Sequence, residues 1–136
     1  MPTITIQAAL TARSRRLVAL RLTRWLVDEG VPADHAIIRF ADLPEDSVFV
    51  AGLPAAALPH EPGVPAHAAV SCQIGPERDE DFRARLATEI TTALPDGDRI
   101  PFIYLAFRPT ARADVWIGRH GQVQRADAPA TARSTR

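Results

Sequence analysis

No lysine occurs anywhere in this 136-residue chain, so all 16 of its basic side chains are arginines, and they balance 16 acidic residues to a formal net charge of zero. The missing lysine removes the usual side-chain amine for covalent chemistry with a carbonyl, leaving the amino terminus as the only amine able to form an iminium. The zero balance gives no electrostatic reason to expect a nucleic acid or an acidic lipid surface as partner. Cysteine is nearly absent too. Cys72 is the single one, which excludes an intramolecular disulfide and a two-cysteine redox site, and its apolar surroundings from Ala68 to Ile74 make it a core residue. No stretch approaches the ~20 apolar residues of a membrane helix, and the start lacks a positive region followed by an apolar run. No membrane partner is expected, and the expected location is the cytoplasm. The four histidines, His35, His60, His67 and His120, show no metal-ligand spacing, and no glycine-rich phosphate loop is present. No metal or cofactor is therefore expected.

What is present is a globular composition, 46% apolar and 24% charged, in a length that suits one domain and leaves room for oligomerisation to add stability. Thr3 to Ala8 alternates polar and apolar residues and predicts a strand with Ile4 and Ile6 on one face. Thr11 or Ser14 can cap a helix whose stripe is Val18, Leu22, Trp25 and Leu26, ending at Gly30 and Pro32. A second strand is predicted over 36–41, and an apolar hairpin piece over Val48-Phe49-Val50-Ala51-Gly52.

The same order then recurs. A strand over 66–74 leads through Gly75-Pro76-Glu77-Arg78 to a helix marked by Phe82, Leu86, Ile90 and Leu94, then to a strand over 100–107 and the piece Val115-Trp116-Ile117-Gly118. Val18, Leu22 and Leu26 superimpose on Phe82, Leu86 and Ile90 at a shift of 64 residues, and Arg13 falls on Arg78 at a shift of 65. The halves, residues 2–53 and 66–121, form one domain over 1–121, joined by a proline-punctuated linker over 54–65. The tail over 122–136 is expected to be disordered. Duplicated β-α-β units of this kind predict an α+β fold: a mixed four-stranded sheet, two helices on one face and short hairpin strands.

Pro2 follows Met1 directly and opens the first strand. Together with Leu10-Thr11-Ala12-Arg13-Ser14 after that strand and the two hairpin pieces, it resembles the tautomerase superfamily over roughly residues 2–121. The tandem arrangement is similar to its long members, which include cis-3-chloroacrylic acid dehalogenase, malonate semialdehyde decarboxylase and macrophage migration inhibitory factor. The resemblance implies a homotrimer and a catalytic secondary amine on Pro2 once Met1 is removed. It also implies carboxylate binding by Arg13 and Arg78, and an active-site role for Tyr104 on the fourth strand. Three places depart from the dehalogenase pattern: Gly75 stands for a first loop arginine, Trp25 for a helix-borne histidine, and Val115, beside Asp114, for a water-activating glutamate. These losses argue against hydrolytic dehalogenation, which needs a base within reach of its water.

A terminal proline amine becomes a useful base near neutral pH when burial and nearby positive charge disfavour its cation. Ile4, Ile38 and Phe107 are expected to supply the apolar environment, with Trp116 also lining the pocket. Arg39 and Arg108 join Arg13 and Arg78 as guanidiniums that both depress the amine and grip a carboxylate by paired hydrogen bonds. Trp25 reads as packing. The leading expectation is a keto-enol tautomerase or isomerase of a small carboxylated carbonyl or unsaturated acid, with Pro2 moving the proton and Tyr104 or Arg39 polarising the oxygen. Hydration or decarboxylation of a three-carbon acid is the second, with Asp114 and Asp42 as the acids to hand. A non-catalytic trimeric binding protein is the third.

Overall fold

The computed structural model describes residues 1–44 and 46–128 of the chain. Strand β1 (Thr3–Gln7) leads into helix α1 (Ala12–Asp28), and β2 (Ile37–Ala41) returns parallel to β1. The short strands β3 (Phe49–Val50) and β4 (Leu53–Pro54) form a hairpin. Strand β5 (His67–Ile74), helix α2 (Glu80–Ala93) and strand β6 (Phe102–Pro109) repeat the unit, and β7 (Trp116–Arg119) with β8 (Gln122–Arg125) makes a second hairpin. The large sheet has the order β2-β1-β5-β6, with β1 and β5 antiparallel at its centre and the other two pairs parallel. This is the expected α+β arrangement.

Side-chain alternation explains why both helices share one face. Ile4, Ile6, Ala68, Val70, Cys72 and Ile74 are buried in one cluster with Val18, Leu22 and Leu26 of α1 and Phe82, Leu86 and Ile90 of α2. The two apolar stripes predicted from spacing are thus the two inner faces. Cys72 is wholly buried among them, and burial pushes its thiol up to about 12. Trp25 packs on Phe82 with ring centroids 5.5 Å apart. Each helix starts where a side chain replaces a missing backbone acceptor: Thr11 accepts from the Ser14 amide and Asp79 from the Phe82 amide. The odd-numbered residues of β1 and β5 face away from the helices. Across that open face the register sets out Ile37, Thr3, Gln73 and Arg108 as one row, Arg39, Thr5, Ser71 and Ala106 as the next, and Ala41, Gln7, Ala69 and Tyr104 as the third.

The boundaries differ from expectation at three places. Pro54 is not the start of the linker but the last residue of β4, and β6 runs two residues further, to Pro109. Gln122 does not begin a disordered tail. Residues 122–125 form β8, because His120 and Gly121 both take positive φ (52° and 81°), as a two-residue hairpin turn with right-twisting strands requires. The remainder of the expected tail, from residue 129 on, lies outside the described residues. The two hairpins correspond: Ala55 donates to the Val48 carbonyl and Ala126 to the Val115 carbonyl, each at 2.8 Å. The second is longer, so its turn glycine is Gly121, where Gly118 had been matched to Gly52.

Candidate active site

Pro2 is buried at the N-terminal end of β1, and its carbonyl accepts the Ile37 amide at 3.0 Å. Because β1 and β5 are antiparallel and β5 and β6 parallel, the C-terminal ends of β5 and β6 arrive at this same end of the sheet. They deliver Arg78 in the loop after β5, Arg108 at the end of β6 and Arg112 in the 3-10 turn Arg112–Asp114. Met1 lines a recess of about 560 Å³ here with Thr3, Ile37, Gln73, Asp114 and Trp116. Trp116, on β7, is 62% exposed and covers one side of it. A second side is tied down by Arg119, which donates to the Asp34 carboxylate at 2.8 Å and holds that carboxyl below its usual range.

The α-amine of Met1 is held below its ordinary value, first by burial, then by the charge of Arg112 and, less strongly, of Arg78; Glu77 opposes them. The Glu77 carboxylate folds back over Gly75, into the space a β-carbon there would occupy. The position where a first loop arginine is missing is therefore filled by an acid. The guanidinium of Arg78 lies over the Phe82 ring, its central carbon 4.4 Å from the centroid, so the charged head itself is held by a cation-π contact. Neither Arg78, Arg108 nor Arg112 is in an ion pair with a carboxylate among the described residues, so their charge is available.

The remaining predicted residues are elsewhere. Arg13 follows β1 and Tyr104 pairs with Ala69 beside Gln7, so both sit at the opposite end of the sheet from Pro2. Four residue steps of strand, at about 3.3 Å each, separate the Arg108 row from the Tyr104 row by roughly 13 Å. Tyr104 is 60% exposed on the open face. Arg39 stands on the same face in the middle row, also exposed. Asp42 is at the far end as well, bonded to Arg15 at 3.2 Å. Ile38 and Phe107 line no part of the recess: they pair with Ile4 and Cys72 and pack against the core on the helix face. Alternation makes this unavoidable, since even positions of β1 point to the helices. The apolar wall near Met1 comes instead from Ile37, Val115, Trp116 and Ile117.

Arg112 and Glu77 were not singled out from the sequence. Both lie in loops, where no periodicity marks them, and only the topology shows that these loops converge on the amino terminus.

No protein-family model matches the chain, and no curated protein matches its sequence. Solved structures do match its fold. A member of the cis-3-chloroacrylic acid dehalogenase family superimposes with a TM-score of 0.67 at 16% identity, covering 98% of this chain and 96% of its own. A fused 4-OT wild-type symmetric trimer gives 0.63 at 18% identity, covering 89% and 93%. Macrophage migration inhibitory factor from Toxoplasma gondii gives 0.62 at 12% identity, covering 90% and 99%. The chain has the fold of tautomerase-superfamily proteins.

Proposed function

We propose that this chain is a cofactor-independent tautomerase or isomerase of a small carboxylated carbonyl or unsaturated acid, with the Pro2 secondary amine, freed by removal of Met1, as proton acceptor and donor. The observation that carries this reading is that the terminal amine of Met1, one residue before Pro2, is depressed by burial and by Arg112 and Arg78; removal of Met1 puts the Pro2 nitrogen at this same end of the sheet. A depressed amine is neutral, and hence basic, over more of the pH range near 7. The same guanidiniums attract a carboxylate and stabilise the negative charge that develops on the substrate oxygen as an enolate forms. Pro2 takes the proton from carbon as the enolate forms, and the resulting ammonium returns it to the enolate oxygen or, in an isomerisation, to the far carbon of the conjugated system; the enol-to-keto direction runs the same steps in reverse.

One chain supplies half of the expected site. Arg13 and Tyr104 reach the recess that Met1 lines only if a second copy brings its opposite sheet end there. We therefore place the active site between subunits of a homotrimer, an assembly that the fused 4-OT structure of the same fold forms. Arg13 and Tyr104 of one copy then serve the amine of the next.

A second reading, hydration or decarboxylation of a three-carbon acid, is favoured by one observation: Asp114 lines the recess with Met1. It could supply the acid or position the water that such reactions need. Asp42, at the opposite sheet end and bonded to Arg15, reaches the recess only from a second copy, as Arg13 and Tyr104 do.

The test is the intact mass of the purified protein followed by enol-to-keto conversion of phenylpyruvate or 2-hydroxymuconate, with Pro2→Ala as control. Loss of Met1 and Pro2-dependent turnover support the proposal. Retained Met1, or turnover unchanged by the substitution, rejects it.

A further inference from the structure

His67 opens β5 and is the sole buried polar or charged residue among those described, 4% exposed. Both of its ring nitrogens are shut off from solvent without a hydrogen-bond partner. An imidazole has one donor and one acceptor when neutral, and leaving both unmet is costly, so such a residue calls for an explanation. Its ring stacks on Phe102 with centroids 5.7 Å apart and planes 11° from parallel. Burial holds it below the ordinary histidine value, which keeps it uncharged.

The ring forms part of the wall of a cavity of about 420 Å³ beneath the segment joining the two halves, a volume in the range of small-molecule sites. Leu43, Val48, Ala55, Val64 and Pro65 make it mainly apolar, and Asp46, Ser47 and His60 are its other polar lining residues; the Nδ1 of His60 is already engaged with the Leu58 carbonyl at 2.7 Å. No arginine lines it among the described residues, in contrast to the Pro2 end. A half-turn of the imidazole about its Cβ–Cγ bond preserves the stacking on Phe102 and exchanges the edge turned to the cavity.

We propose that this cavity is a binding site for an uncharged, mainly apolar small molecule carrying one hydroxyl or carbonyl group, which His67 anchors by a hydrogen bond. The chemistry follows from the lining. An anion meets the Asp46 carboxylate and no guanidinium, whereas a neutral hydroxyl meets apolar walls and an imidazole whose hydrogen bonds are unmade. The cavity uses no atom of the Pro2 amine, although it lies at the sheet end that carries Arg13 and Tyr104, and the proposal stands whether or not Pro2 is catalytic.

Three probes with the same apolar body distinguish the outcomes: p-cresol, toluene and p-toluate, titrated into the full-length protein while the ring nitrogens of His67 are followed by NMR. The expected result is a saturable shift with p-cresol, with toluene and p-toluate binding this site at least ~10-fold more weakly, the ratio a hydrogen bond of ordinary strength gives. His67→Leu should abolish the preference of p-cresol over toluene, and His67→Gln, which keeps a donor and an acceptor, should restore part of it. Equal binding of toluene and p-cresol, tighter binding of p-toluate, or no shift at His67 with any probe would each overturn the proposal. The wild-type titration decides the matter alone if His67→Leu does not fold.

Discussion

Pro2 and Ala66 occupy matching places in the two halves of this chain, and the ends of the sheet that they mark have diverged in opposite directions. Thr3 pairs with Ile37 on the parallel neighbour just as His67 pairs with Phe102, and each pair lies against a hairpin. At the first end there is a chain terminus, with the depressed amine of Met1 one residue before Pro2 and guanidiniums outside any ion pair. At the second the corresponding residue is internal, the nitrogen is an amide, and a neutral, buried histidine faces apolar walls. Duplication thus supplied two similar recesses, but a secondary amine can exist at only one of them. The lesson is that internal symmetry predicts shape at both ends and acid-base chemistry at one.

The largest effect should come from removing what makes the ends unequal. Pro2→Ala should lower turnover of an α-keto acid by on the order of 10²- to 10⁴-fold, the usual worth of a positioned proton-transfer group. Binding of p-cresol at the His67 end should stay the same. A comparable loss at both ends would mean that the substitution disturbs the sheet. Next, Arg78→Gln and Arg112→Gln should each lower kcat/KM by roughly 10- to 100-fold, as expected for losing a charge-assisted hydrogen bond. Steady-state kinetics at constant ionic strength checks this, and an effect confined to surface residues such as Arg125 would contradict it.

At the second end the sign reverses. His67→Leu removes two buried polar atoms that have no partner and should raise stability by about 1–3 kcal/mol, seen as a higher denaturant midpoint at unchanged slope. A drop in stability would show that the imidazole is serving the fold. Gly121→Ala, at φ 81° in the longer hairpin with open space around it, should cost about 1–2 kcal/mol through the left-handed backbone alone. Its effect on turnover should exceed that of Gly52→Ala, because only the longer hairpin carries Trp116 beside Met1.

The smallest effects are shifts of the pH profile. Protonation abolishes the base, so activity falls as pH drops through the amine's own value. Arg112 lowers and Glu77 raises the terminal amine of Met1; acting on Pro2 in the same sense, Arg112→Gln should move the acid limb to higher pH and Glu77→Gln should move it to lower pH. A pH-rate series on the two variants, read against wild type, tests the opposed signs.

Much of this arrangement was legible from residue order. The stripes Val18, Leu22, Leu26 and Phe82, Leu86, Ile90 are the buried faces of the helices, because a 3.6-residue period leaves little choice about which side turns inward. The separation of Pro2 from Arg13 was also available, since one precedes and the other follows β1, and the length of that strand keeps them apart within a single copy. Ile38 and Phe107 were misplaced because apolar character does not reveal which face a strand residue takes; the register to Ile4 and Cys72 does. β8 was missed because Gln122 to Arg125 has polar residues around one valine, and its pairing rests on the turn at His120 and Gly121 and on the buried Ala126. Arg112 and Glu77 needed the topology.

The central claim is that the amine of Pro2 is a base by virtue of its surroundings. The most direct test is an NMR titration of the Pro2 nitrogen in the protein isolated without Met1. The account predicts a midpoint below that of an unburied secondary amine, rising in Arg112→Gln. A protein that keeps Met1, or a Pro2 nitrogen that titrates like a free amine and ignores Arg112, would contradict it.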